Sequence, residues 1–191
     1  MVPCCAKMKT GAGFVLGALV VAGLWAASHA LTTVQAQEGM PMAGPEHKML
    51  EHWVGSWNAT VKMMGAEYPM TEENTLLPGG MWMISEVKGD FMGMPFEGRA
   101  LLGHDPMKKK YTSVWIDNMT PTMTLMEGTF DPATKTLTNF GEAFDPMSGG
   151  MVNTKGVDQF TDAHHRKYES FMVDDEGNET LGMTIEYTRK K

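Results

Sequence analysis

The chain has 191 residues, 42% of them hydrophobic, with 16 Lys and Arg against 23 Asp and Glu and a formal charge of −7. It has no basic stripe, since Lys108-Lys109-Lys110 stands alone, and this argues against nucleic acid as a partner. Both cysteines, Cys4 and Cys5, precede the first apolar run, so the remainder carries no disulfide and depends on its core.

Lys7 and Lys9 lead into an apolar run from Gly11 to Ala27, followed by small-residue exits at Ser28-His29-Ala30 and Val34-Gln35-Ala36. This is the pattern of a secretory signal peptide over residues 1–36. Gly11, Gly13, Gly17 and Gly23 dilute the run and favour cleavage, after Ala36 ahead of Ala30, over an uncleaved anchor. The expected location is periplasmic or secreted, with membrane contact only through this N-terminal segment. Without Lys7 and Lys9 the balance becomes 14 against 23, a charge of −9. Residues 37–44 (QEGMPMAG) read as a flexible leader, and residues 45–191 as one domain.

That domain opens with PEHKMLEHWV, where Met49, Leu50, Trp53 and Val54 recur at helical spacing. Pro45 and Glu46 suit a helix start and Gly55 a stop, so a short helix lidding one end of a sheet is expected. From Gly55 onward the period is two. Trp57, Ala59, Val61 and Met63 alternate with Asn58, Thr60, Lys62 and Met64. Comparable segments follow near 70–77, 81–89, 96–104, 109–117, 122–130, 135–143, 151–161, 165–173 and 180–189, which makes ten. His104-Asp105-Pro106, Phe130-Asp131-Pro132 and Phe144-Asp145-Pro146 share one turn design, with Asp bonding to amides ahead and Pro presetting φ. The expected fold is all-β: an antiparallel up-and-down barrel of about ten strands with a short N-terminal helix closing one end.

Leu50-Glu51-His52-Trp53-Val54-Gly55-Ser56-Trp57, Gly103-His104-Asp105, Trp115-Ile116-Asp117, Glu127-Gly128-Thr129-Phe130-Asp131, Asp145-Pro146-Met147 and Ile185-Glu186-Tyr187-Thr188-Arg189 carry a resemblance across nearly the whole domain. They resemble the exported bacterial family known as domain of unknown function 1579. More distantly the chain is similar to the calycin barrels, a group that includes lipocalins, fatty-acid carriers and haem-binding nitrobindins. That likeness implies a closed barrel with a central cavity. It also implies a closure in which Arg189, on the last strand, packs over Trp57 beside Gly55, a cation–π contact of about 0.5–2 kcal/mol.

The candidate ligand-binding residues are Trp82, Trp115, Asp117, Met126, Arg99 and Glu127. Both indoles lie mid-strand, Asp117 shares a face with Trp115, and an inward Arg99–Glu127 pair would anchor a ligand head group. The expected partner is a small, largely apolar molecule, with no resident cofactor. Twenty methionines, including Met81, Met83, Met92, Met94, Met123 and Met126, raise Cu(I) handling as an alternative, set against flexible core filling. Haem, on His104 or His164, is a second alternative. An enzyme built on Glu127, Asp117 and a histidine is a third, although no nucleophile motif or zinc spacing is present. The sequence leaves the oligomeric state open.

Overall fold

The computed structural model describes residues 43–191; the signal-peptide segment 1–36 with its cleavage sites, and residues 37–42 with Met40-Pro-Met42, lie outside them. Ten antiparallel strands close into a barrel: β1 (Gly55–Met63), β2 (Ala66–Leu76), β3 (Trp82–Phe91), β4 (Met94–Asp105), β5 (Lys110–Asp117), β6 (Thr124–Asp131), β7 (Thr136–Asp145), β8 (Gly150–Phe160), β9 (His165–Val173) and β10 (Glu179–Arg189). Each strand pairs with its neighbour in sequence, and β1 pairs with β10 from Trp57 opposite Arg189 to Lys62 opposite Thr184. Closure removes the exposed sheet edges that would otherwise template aggregation.

The turns follow from local chemistry. Asp105 Oδ1 accepts the amides of Met107 and Lys108 at 2.8 and 3.2 Å. Asp131 Oδ1 accepts that of Ala133 at 2.9 Å, and Asp145 those of Met147 and Ser148 at 3.0 Å each. Hydrogen bonds from the Thr134 and Ser148 side chains, then from turn amides, hold the Asp131 and Asp145 carboxyls below their ordinary values.

The N-terminal helix is shorter than the sequence pattern predicts. A single α-turn, α1 (Pro45–Lys48), tightens into a 3₁₀ turn over Met49–His52. The tightening brings Met49, Leu50 and Trp53 together into the barrel core. Leu50 is fully buried, which contributes about 1.5–3 kcal/mol. The Tyr111 hydroxyl donates to the Glu46 carbonyl at 2.7 Å, and buried His47 meets His104 edge-on at 5.6 Å. The helix thus seals the end of the barrel where β1 begins and β10 ends.

Gly55 sits at the seam. Its φ is +109°, and a Cβ there would lie 2.9 Å from Arg189 Nη1. Gly55→Ala therefore imposes a strained backbone and displaces the Arg189 guanidinium. The expected loss is about 1–3 kcal/mol in urea unfolding; wild-type stability would contradict this role.

Candidate functional site

Alternation places Trp57, Ala59 and Val61 of β1, Met70, Glu72 and Asn74 of β2, and Met83, Ser85 and Val87 of β3 inside the barrel. Asp158 and Phe160 of β8, Arg166 of β9 and Tyr187 of β10 join them. In the helix-side half these residues form a buried charge centre. Arg166, 4% exposed, donates Nη1 to Asp158 Oδ2 at 2.7 Å and Nη2 to Glu72 Oε1. Its guanidinium carbon lies 3.4 Å from the Tyr187 ring centroid and 5.2 Å from that of Trp57.

Trp53 Nε1 donates to the same Asp158 oxygen at 2.9 Å. Asn74 Nδ2 bridges Glu72 Oε1 and the Trp53 carbonyl, and Trp57 Nε1 also reaches that carbonyl, at 2.8 Å. The helix turn, β1, β2, β8, β9 and β10 therefore share one network. Burial works against the Arg166 charge, but Asp158 and Glu72 outweigh it and raise its pKa. Burial pushes the Asp158 carboxyl up, against the pull of Arg166 and Trp53. It also raises the Tyr168 hydroxyl to about 12.

Arg189 crowns this end. Its guanidinium carbon is 4.1 Å from the Trp57 ring centroid, and its N–H groups reach the carbonyls of His52, Val54 and Ala163. Trp57 has no exposed surface. Gly55, Trp57 and Arg189 thus meet at the β1–β10 seam.

The other half of the interior is lined differently. Tyr68, Phe91, Phe96 and Trp115 run side by side across β2, β3, β4 and β5, with successive ring centroids 4.5, 6.4 and 6.3 Å apart. All four pack against the core yet keep part of their surface exposed, as do Met63, Met183 and Ile185. Trp115 covers Gly98, where a Cβ would fall 2.3 Å from the indole, and donates Nε1 to Asp117 Oδ2 at 2.8 Å. Asp117 Oδ1 also caps the following turn through the amides of Met119 and Thr120. An open cleft of about 320 Å³ lies at this end, between the β1–β2 hairpin and the start of β10. Met63, Met64, Leu181 and Met183 are among its lining residues.

The sequence-predicted residues divide accordingly. Trp115, Asp117 and Met126 face inward, and the first two are bonded to each other. Trp82 faces outward and covers Gly103 on the outer wall, because the inward positions of β3 are Met83, Ser85 and Val87. Arg99 and Glu127 also face outward and do not pair. Arg99 lies 3.5 Å from Glu86, while Glu127 is held by Lys108 and Lys110. The inward positions beside them are glycines, Gly98 and Gly128.

Met81 precedes β3 while Met83 points into the core, so they do not share a strand face. His104 lies between His47 and Tyr111 beneath the helix, and His164 and His165 are exposed around the β8–β9 turn. Among the described residues, no three His, Cys, Asp or Glu side chains form a metal-binding group.

Glu72, Asp158 and the central role of Arg166 escape a period-two reading, because polar residues there normally mark the outer face. The signal was parity: Glu72 lies in step with Met70 and Leu76, and Asp158 in step with Phe160.

Arg166→Met leaves two carboxylates buried without a cation and is expected to cost about 3–5 kcal/mol in urea unfolding. Adding Glu72→Gln and Asp158→Asn should recover most of that loss; no recovery would contradict the network. Because folding raises the Asp158 value, its contribution is present below the ordinary carboxyl pKa and lost as pH rises through the elevated one. Asp158→Asn should flatten the stability curve above the ordinary carboxyl pKa, as read by unfolding at stepped pH. An unchanged curve would refute this assignment.

No curated protein sequence matches the chain. Among solved structures, Rv2717c from M. tuberculosis superposes with a TM-score of 0.55 at 12% identity, over 79% of this chain and 100% of that one. An S-type phycobiliprotein lyase, CPES from Guillardia theta, gives 0.47 at 13% identity, over 75% of this chain and 92% of the lyase. The first likeness is one of barrel fold. The family model described as protein of unknown function (DUF1579) matches residues 42–189, and the chain belongs to that family.

Proposed function

We propose that this protein binds one small, largely apolar molecule in the half of the barrel opposite the helix, and that it does so after export. The observation that carries the proposal is the partly exposed aromatic arc of Tyr68, Phe91, Phe96 and Trp115, with Met63, Met183 and Ile185 among the other apolar residues of the core. Aromatic and thioether surfaces suit an adaptable apolar site. Barrels near this strand number accommodate one small ligand. The leader pattern over residues 1–36 supports the export half of the proposal. Binding rather than catalysis fits the geometry: Glu127 points outward, and Asp117 is occupied by Trp115 and the turn amides.

Titrating the mature protein with the apolar fluorophore N-phenyl-1-naphthylamine should give saturable one-to-one binding. Trp115→Phe should weaken it several-fold, while Trp82→Phe, altered on the outer wall, should leave it unchanged. Native mass spectrometry of protein from its own source should reveal a co-purified small molecule. Absence of both saturable binding and a co-purified mass would reject the proposal.

A further inference from the structure

The inward-facing charges on the barrel wall are unequal. Glu72, Asp158 and Asp117 are acidic, and Arg166 is the cation among them. Among the described residues, Arg166 Nε is buried without a hydrogen-bond partner, but the rest of the guanidinium is taken. Two carboxylates already hold its Nη atoms, and Tyr187 covers its face. Arg189 belongs to the lidded end, where backbone carbonyls occupy its guanidinium.

The same network also carries spare acceptors. Asp158 Oδ1 is buried with no hydrogen-bond partner, on a residue only 9% exposed. A second spare acceptor, Asn74 Oδ1, lies in the same network; Asn74 Nδ2 is fixed by Glu72 and the Trp53 carbonyl. The aromatic arc adds an independent preference. Ring faces attract cations, and Trp115 holds Asp117, which has no cationic partner among the described residues, at its edge. In a low-dielectric interior this imbalance acts over several ångströms.

We propose that the barrel selects apolar molecules whose polar end is a cation or a hydrogen-bond donor, such as a long-chain amine, and rejects the matching carboxylates. This rests on the binding proposed above and adds the chemical class of the ligand. A carboxylate entering the barrel would meet three like charges, with the one guanidinium among them held through both Nη atoms by two of those charges. A protonated amine would meet ring faces and Asp117 first and the net negative charge of the Glu72–Asp158–Arg166 centre beyond.

The test compares decylamine, decanol and decanoate, one chain length with three head groups, by isothermal titration calorimetry at pH 7.5 in 50 mM salt. Decylamine should bind at least several-fold tighter than decanol, and decanol several-fold tighter than decanoate. The spread should narrow in 0.5 M salt as the charges are screened. Asp117→Asn, which removes the charge and leaves one acceptor oxygen in place of two, should reduce the amine-to-alcohol ratio. Decanoate binding as tightly as decanol would overturn the selectivity and leave apolar binding standing. Failure of decanol itself to bind would overturn the apolar site and the selectivity together.

Discussion

The fold depends on one buried guanidinium. Arg166 of β9 reaches Asp158 on β8 and Glu72 on β2, and its face lies against Tyr187 of β10. Asp158 in turn fixes Trp53 of the helix turn, whose carbonyl receives Asn74 and Trp57. A buried ion pair adds little net stability compared with apolar packing, but removing one partner is costly. What this centre supplies is register. Slipping β2, β8 or β9 by one residue would turn Glu72, Asp158 or Arg166 out of the network and leave the others unpaired.

That centre divides the barrel into two unlike halves. Near the helix, Leu50, Trp53, Trp57 and Phe160 pack tightly around the charges, and Arg189 closes the seam from outside. Toward the hairpins the polar network gives way to ring faces and methionines that retain exposure. The first half is built to stay shut. The second has apolar surface without a lid among the described residues; its inward-facing charge, Asp117, is acidic, and Lys62 at the rim is paired with Glu67 and Glu186. Binding an apolar molecule there asks nothing of the structural half beyond the field it sets up.

The architecture was legible in the sequence because its determinants are local. The ten alternating segments, the Asp-Pro turns and the Gly55 stop each act within a few residues, and the strands form where the alternation predicts them. The site was less legible, because facing depends on parity across a whole strand. Gly98 and Gly128 occupy inward positions with no side chain to advertise them, which drew attention to their outward neighbours Arg99 and Glu127. Trp82 misled for the opposite reason: a large apolar residue sits on the outer wall because Gly103 leaves it a groove. Thr71-Glu72-Glu73-Asn74 shows no alternation at all, and only the distant Arg166 gives Glu72 a reason to turn inward. Trp115 with Asp117 was recoverable because both residues lie on one strand two positions apart.

The division into a locked half and a receptive half has a direct spectroscopic reading in the four indole N–H groups of residues 43–191. Trp53 and Trp57 donate within the locked network, Trp115 donates to Asp117 beside the aromatic arc, and Trp82 lies on the outer wall. In a nitrogen-15 spectrum recorded while decylamine is added, the Trp115 indole signal should move progressively and saturate. The signals of Trp53, Trp57 and Trp82 should hold their positions. Movement of Trp53 and Trp57 with Trp115 unmoved would place the ligand in the half described as shut and contradict the account.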